Sequence, residues 1–418
     1  MTLTAPIDPA LIRNVALIGP SRGGKSTLVH TLALATGAVG RPDTGPHRMM
    51  PPDPGSAERD PHHALSLTFE PLDWQGTRIN LVDTPGGADS GPQVRAGLRA
   101  ADAALFIVSA DEGIDPASTV LWEECEADGM PRAIVITKAD HDQADVDTTI
   151  EDCQQLLGDG HGVLPLYLPL HSDEGSVAGL IDLLGLRIRD YSDGQCIDRA
   201  PDPQHLDLIA DARAALLEAI ITGSEDEHLM DLLLSGGEIA MDRLVFDLDQ
   251  GVRRGHIYPV LVTAISPEGL GAAEILDILV RSFPSPMDSR PPMVSGPDGS
   301  PRAPIHCDPA GPLCAEVIHT DSGAQSGAHA RTSSLIRVFS GTLGNDERLH
   351  VAGQSLTHDG SLSRPGAQGL GAGVLGAGDI GVRTNIPDTT AGDTLSSPDF
   401  PLLLEPWAVS GRDRDDTP

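Results

Sequence analysis

An apolar run, Val15-Ala16-Leu17-Ile18, leads directly into Gly19-Pro20-Ser21-Arg22-Gly23-Gly24-Lys25-Ser26, after which Leu28, Leu32 and Ala35 recur at helical spacing. Strand, glycine-rich turn of the form GxxxxGKS/T, then helix: that order leaves few folds open. A strand this apolar belongs inside a sheet covered on both faces, and the helix must cross over to a parallel neighbour. Gly37 is suited to cap the helix C-terminus. Leu65 to Trp74 and Arg78 to Val82 read as two strands joined across Gln75-Gly76-Thr77. Apolar strands at Ala103–Val108, Ala133–Thr137 and Tyr258–Ala264 alternate with helix signals, and Asp115-Pro116 is a good helix start. The pattern predicts an α/β fold with a mostly parallel sheet.

The distance from Asp140 to the strand at Tyr258 is too long for one crossover. Helical spacings at Leu206, Ile209, Leu216 and Ile220, at Leu229, Leu232 and Leu233, and at Leu244, Leu248 and Val252 fill part of it. Ser224 and Glu227 form a capping-box pattern before the second of these. The chain therefore divides into a nucleotide-binding domain over 1–284, with a largely helical insertion at about 141–256, and a Pro/Ser/Gly-rich linker over 285–304. Short strands at Leu313–Ile318, Leu335–Val338, Leu349–Val351, Asp379–Val382 and Leu402–Glu405 predict a small β-barrel domain over 305–407. Gly360 to Gly378 reads as a long glycine-rich loop within it, and 408–418 as a disordered polar tail.

Charge narrows the function. With 28 basic and 61 acidic residues among 418, the net charge is −33. Such a surface repels phosphate backbones, so direct sequence-specific nucleic-acid binding is not expected. The five cysteines show no metal-ligand spacing and read as reduced thiols. Asp8 and Pro9 interrupt the only apolar stretch at the amino terminus, so it is no signal peptide, and no run approaches a membrane span. A cytoplasmic protein is expected, with no membrane contact.

Glycines at 19, 23 and 24 let the backbone curl so that amide groups, with the following helix N-terminus, face a phosphate. Lys25 is then the charge between β- and γ-phosphates, and the Ser26 hydroxyl a Mg²⁺ ligand, with Thr27 beside it. Asp83-Thr84-Pro85-Gly86 fits DxxG. Asp83 can hold the metal through water, and Gly86 can offer its amide to a γ-phosphate and flip when that group leaves. Thr137-Lys138-Ala139-Asp140 comes third, in the order a guanine site requires. Asp140 is placed to accept from guanine N1–H and N2–H₂, Lys138 to lie along the base, and Thr263-Ala264 to meet O6 with a backbone amide. A carboxylate so used disfavours adenine, which would leave it unpaired.

These segments resemble the translational GTPases, in particular the actinobacterial elongation-factor-G-like group. The likeness runs from "RNVALIGPSRGGKSTL" through "INLVDTPG", "VRAGLRAADAALFIVSADEGID" and "GMPRAIVITKAD", and resumes in "LIRVFSGTL", "AGDI" and "AGDTLSSPDFPLLLEP". It implies a P-loop GTPase domain, GTP or GDP with Mg²⁺ as ligands, and the ribosome as partner. Several positions depart from the family pattern. Gly87 stands where the family has a water-orienting histidine, a loss worth about 10²–10⁴ in rate. Thr137 replaces the usual asparagine, which predicts weaker bracing of the loop. Arg22 stands where the family has aspartate; it could touch phosphate or remain a solvated loop cation. For the first-switch threonine that closes over Mg²⁺, Ser66 is the nearest hydroxyl, although an ungapped count lands on Ala64. His47, His62 and His63 lie in that switch and read as solvated loop residues. The sequence ends shortly after the barrel, whereas elongation factor G continues through three more domains, so translocation by this chain alone is not expected. Three readings follow, the first two being a slowly hydrolysing or ribosome-dependent GTPase and a non-catalytic module whose nucleotide holds one arrangement for an unidentified protein partner. A remnant without a selected role is the third.

Overall fold

The computed structural model describes residues 6–37, 67–87, 90–158, 162–172, 175–192, 196–235, 237, 239–265, 269–322, 332–345, 347–351, 354–356, 362–363, 373–384, 386 and 389–406. The first elements are β1 (Ile12–Ile18), α1 (Lys25–Ala35), β2 (Thr68–Trp74), β3 (Thr77–Asp83), α2 (Gly91–Ala100) and β4 (Ala103–Ser109). They continue with α3 (Pro116–Ala127), β5 (Arg132–Thr137), α4 (Val146–Leu157) and β6 (Val163–Pro165). Next come β7 (Tyr167–His171), β8 (Val177–Asp182), β9 (Arg187–Asp190), β10 (Ile197–Arg199), α5 (Pro203–Thr222), α6 (Glu227–Ser235) and α7 (Met241–Arg253). β11 (Tyr258–Val262) and α8 (Ala272–Arg281) close the series.

One seven-stranded sheet has the order β2-β3-β1-β4-β5-β11-β6. β4 with β5, β5 with β11 and β11 with β6 pair in parallel, while β2 and β3 form an antiparallel hairpin. Every residue of β4 and β5 is buried, as strands covered on both faces must be. Even Arg132 obeys: its guanidinium lies 4.3 Å from the ring centroids of both Trp122 and Tyr258. The expected α/β fold is thus present. The β2–β3 turn is one residue shorter than the sequence suggests. Gln75 (φ 48°) and Gly76 (φ 79°) make it alone, because two left-handed residues match the twist of a tight hairpin.

The segment 141–256 carries the helices α4 to α7 that its spacings suggest, and also strands that the sequence did not show. β6 joins the main sheet beside β11, and β7 to β10 form a four-stranded antiparallel sheet in the order β10-β9-β8-β7. Strands of three to six residues carry too little alternation to read, and Pro169 and Gly179 look like breakers. Gly179 is there for proximity: a Cβ on it would meet the Arg189 carbonyl oxygen at 2.4 Å. Ser224, read as the start of a capping box, lies three residues before the first helical residue of α6. Its hydroxyl accepts from the Asp226 N–H at 3.1 Å, a local turn before the helix begins at Glu227.

The remaining strands are β12 (Val294–Ser295), β13 (Cys314–Ser322), β14 (Thr332–Ser340), β15 (Thr342–Gly344), β16 (Leu349–Val351) and β17 (Gln354–Leu356). They end with β18 (Leu362–Ser363), β19 (Val374–Gly376), β20 (Ile380–Thr384), β21 (Thr394–Ser396) and β22 (Leu403–Leu404). An antiparallel sheet of order β17-β16-β21-β13-β14-β20-β18 encloses Leu313, Val317, Ile336, Val338, Leu349 and Leu395. The stretch read as a linker, 285–304, contains a strand: β12 pairs with β22, and Val294 is buried in a cluster with Cys314 and Leu402. The stretch read as one glycine-rich loop contains β18 and β19. Residues 408–418 lie outside the described residues.

By packing, the chain forms two compact units: Met1–Ala16 with Arg41–Ala103 and Pro284–Pro418, and Leu17–Gly40 with Ala104–Phe283. This division differs from the linear one drawn at 284. The core of the first unit explains why. Leu67, Phe69 and Val82 share one apolar cluster with Ile318, Leu335 and Ile380. Beside it the Asn14 side-chain amide donates to Asp102 Oδ2 and to the Gly378 carbonyl, each at 2.8 Å. Arg337 donates to the Ala100 carbonyl at 2.6 Å and to Asp102 Oδ1 at 2.5 Å, and Ser289 Oγ also reaches Asp102 Oδ1. Such groups are costly to bury without partners, and here they partner one another.

Candidate nucleotide site

Glycines let the phosphate loop make its closest approaches. Gly19 (φ 154°) presses on β4, where a Cβ would meet the Ile107 carbonyl oxygen at 2.5 Å. Gly24 (φ 95°) is the N-cap of α1, and a Cβ there would meet Thr137 Oγ1 at 3.0 Å. The Gly23 N–H closes a turn on the Pro20 carbonyl at 3.1 Å. The Lys25 ammonium donates to the carbonyls of Gly19 (2.6 Å) and Pro20 (2.7 Å) and is held inside the loop. Ser21, Arg22, Ser26 and Thr27 are exposed on it, with Arg22 in a left-handed conformation (φ 66°). Helices α3, α4 and α5 begin at Asp115, Asp145 and Asp202, whose carboxylates accept from first-turn amides. α1 begins at a glycine and has no side-chain cap. A helix start so built suits an anion.

The loop is tied to the base motif. Thr137 Oγ1 donates to the Gly23 carbonyl at 2.6 Å, so the hydroxyl supplies a brace that the sequence suggested would weaken without asparagine. The Ala139 N–H points to the Thr263 carbonyl at 3.5 Å, and Thr263 Oγ1 donates to the Leu270 carbonyl at 2.8 Å. The Ala264 amide, expected at guanine O6, is directed at the Leu270 carbonyl at 3.4 Å. Lys138 occupies a left-handed conformation (φ 58°), and Asp140 follows in the turn closed by the His141 N–H on the Lys138 carbonyl at 3.1 Å.

Sequence reasoning missed Asp111. Its carboxylate receives the Lys138 ammonium at 3.0 and 3.2 Å, His141 Nδ1 at 2.9 Å and the Ser109 hydroxyl. Partial burial would raise its pKa, but these hydrogen bonds and the Lys138 charge outweigh that and hold it at about 2. Only its position just past an apolar strand could have marked it, and one more acid among 61 carries no signal.

In the other unit, Asp83 is the last residue of β3, with Thr84 and Pro85 buried after it. Ser90, which precedes α2, turns its hydroxyl back to the carbonyls of Pro85 (2.9 Å) and Gly87, and its N–H to Gly87 O at 3.1 Å. The Pro85–Gly87 turn, including Gly86, is therefore fixed from the helix side. Ser66, His47, His62 and His63 lie outside the described residues.

Residues 10–285 match the family model described as the elongation factor Tu GTP binding domain. The chain belongs to this family. It is 41% identical over 419 residues to an "Elongation factor G-like protein" of Mycobacterium tuberculosis, covering 96% of this chain and 57% of that protein. It is 30% identical over 427 residues to "Elongation factor G 1" of Geobacter sulfurreducens, covering 97% and 58%. A crystal structure of a Thermus thermophilus protein superposes with a TM-score of 0.74 at 27% identity, over 94% of this chain and 55% of that one. The resemblance drawn from the motifs, a translational GTPase of the elongation-factor-G-like kind, is borne out. The chain spans a little over half the length of these relatives.

Proposed function

We propose that this chain binds GTP and GDP with Mg²⁺ and hydrolyses GTP weakly or only on the ribosome. The observation that carries the reading is the Gly24 start of α1, braced through Gly23 by Thr137, with the Lys25 ammonium gathered into the loop. Phosphates would take the loop amides and Lys25, and the purine edge would take Asp140. The Ser26 hydroxyl and the Asp83 carboxylate are hard oxygen donors of the kind Mg²⁺ accepts. A metal bound with the nucleotide would offset phosphate charge. Ser66 remains the proposed switch hydroxyl. A cytoplasmic location agrees with the absence, among the described residues, of a helix long and apolar enough to cross a membrane. Translocation is no part of the proposal.

Calorimetry tests the binding. Full-length chain in magnesium buffer should take up GDP and GTP and ignore ADP. Lys25→Ala should weaken binding by about 10–100-fold, the worth of a lost charge-assisted hydrogen bond. Wild-type protein, folded by circular dichroism, that gives no heat with either guanosine nucleotide would overturn the reading.

Gly87 favours a second reading, a module that holds nucleotide without turning it over. Single-turnover release of labelled phosphate, with and without ribosomes, separates the two. Stimulated release supports the enzyme; tight binding with none supports the module.

A further inference from the structure

We infer that Asp111 is a positioning residue for the purine base, acting through Lys138 on the turn that carries Asp140. The inference rests on the guanine reading above and goes beyond it. Asp111 lies in the loop after β4, and this loop is sewn to the base motif. The Ala110 N–H donates to the Thr137 carbonyl (3.0 Å), the Asp145 N–H to the Ala110 carbonyl (3.1 Å) and the Gly113 N–H to the Ser109 carbonyl (2.8 Å). From that platform one carboxylate grips both flanks of the Lys138–His141 turn, through Lys138 Nζ on one side and His141 Nδ1 on the other. The contact with His141 needs the ring proton on Nδ1.

Two features make this more than a surface ion pair. Lys138 adopts a backbone conformation that a side chain disfavours (φ 58°), so the turn relies on its surroundings to persist. The Lys138 and Asp111 side chains are only 15% and 17% exposed, which limits screening of the pair. An ammonium pinned at its tip also immobilises its methylene stem, and a fixed apolar stem is a flat partner for an aromatic ring. Asp140, two residues on, inherits the same rigidity. The ligand class addressed is a purine carrying an N1–H and a 2-amino group.

The test uses the full chain, GDP, and inosine diphosphate, which lacks the 2-amino group. Asp111→Asn keeps the shape and removes the charge. It should weaken GDP binding about tenfold or more, shrink the preference for GDP over inosine diphosphate, and leave the GTP:GDP ratio unchanged. Asp111→Glu should restore most of the affinity. Lys138→Met should match the Asn variant, and the double variant should be no worse than either, since the two residues act as one unit. A folded Asp111→Asn protein with wild-type affinity and selectivity overturns the inference, as do additive effects. If that variant does not fold, Lys138→Met decides: unchanged GDP affinity and selectivity there would show a pinned stem that contributes nothing. Failure of wild-type protein to bind any guanine nucleotide would defeat the functional reading itself. Binding by wild type with indifferent variants would defeat only this step.

Discussion

Gly87 brings no side chain to the position after the Asp83–Gly86 turn, and its carbonyl already accepts from the Ser90 N–H at 3.1 Å. Gly87→His should raise single-turnover GTP hydrolysis by about 100-fold if a water-orienting group is the main deficit. A variant that binds GTP normally and stays equally slow would place the deficit elsewhere. Thr137 teaches the opposite lesson. It looked like a weakened asparagine, yet its hydroxyl reaches the Gly23 carbonyl at 2.6 Å. It can do so because Gly24 has no Cβ to hold the loop away. Reach depends on what the neighbouring residue lacks, and that is not written at position 137.

Among the elements, α2 shows how closely a helix can be set on a motif. A Cβ at Gly97 would meet Thr84 Cγ2 at 2.5 Å. Gly97→Ala should therefore destabilise the protein by about 1–3 kcal/mol, the usual cost of overpacking, despite the better helix propensity of alanine. Urea unfolding measures this, and a neutral or stabilising result would show that Thr84 can yield. What could be read from the chain was what repeats or caps. Long apolar strands such as β4 and β5, and Asp115-Pro116 at the start of α3, announce themselves. What escaped was short or long-range. β6 to β10 give the eye three to six residues each, and Asp111 meets Lys138 across a sequence separation of 27. Ser224 and Glu227 are the right letters for a capping box, but the helix begins only at Glu227.

At the scale of the molecule, Asp102 is the point where distant stretches meet. Its side chain is 1% exposed, and Arg337, Asn14 and Ser289 all donate to it. Removing one partner of a buried charge pair strands the other. Arg337→Met should cost about 3–5 kcal/mol in urea unfolding; a loss below about 1 kcal/mol would mean that Asn14 and Ser289 suffice. A nearby pair is milder. Burial raises the pKa of Glu316, and Arg99 at 2.7 Å counters this.

The same junction bears on how the gene product could be dissected. A fragment cut at residue 285, where the family match ends, would leave Phe69 and Val82 without Ile318 and Ile380, and Asp102 without its guanidinium. Homology here delimits ancestry, whereas cohesion delimits what survives by itself in a test tube, and the two outlines do not coincide.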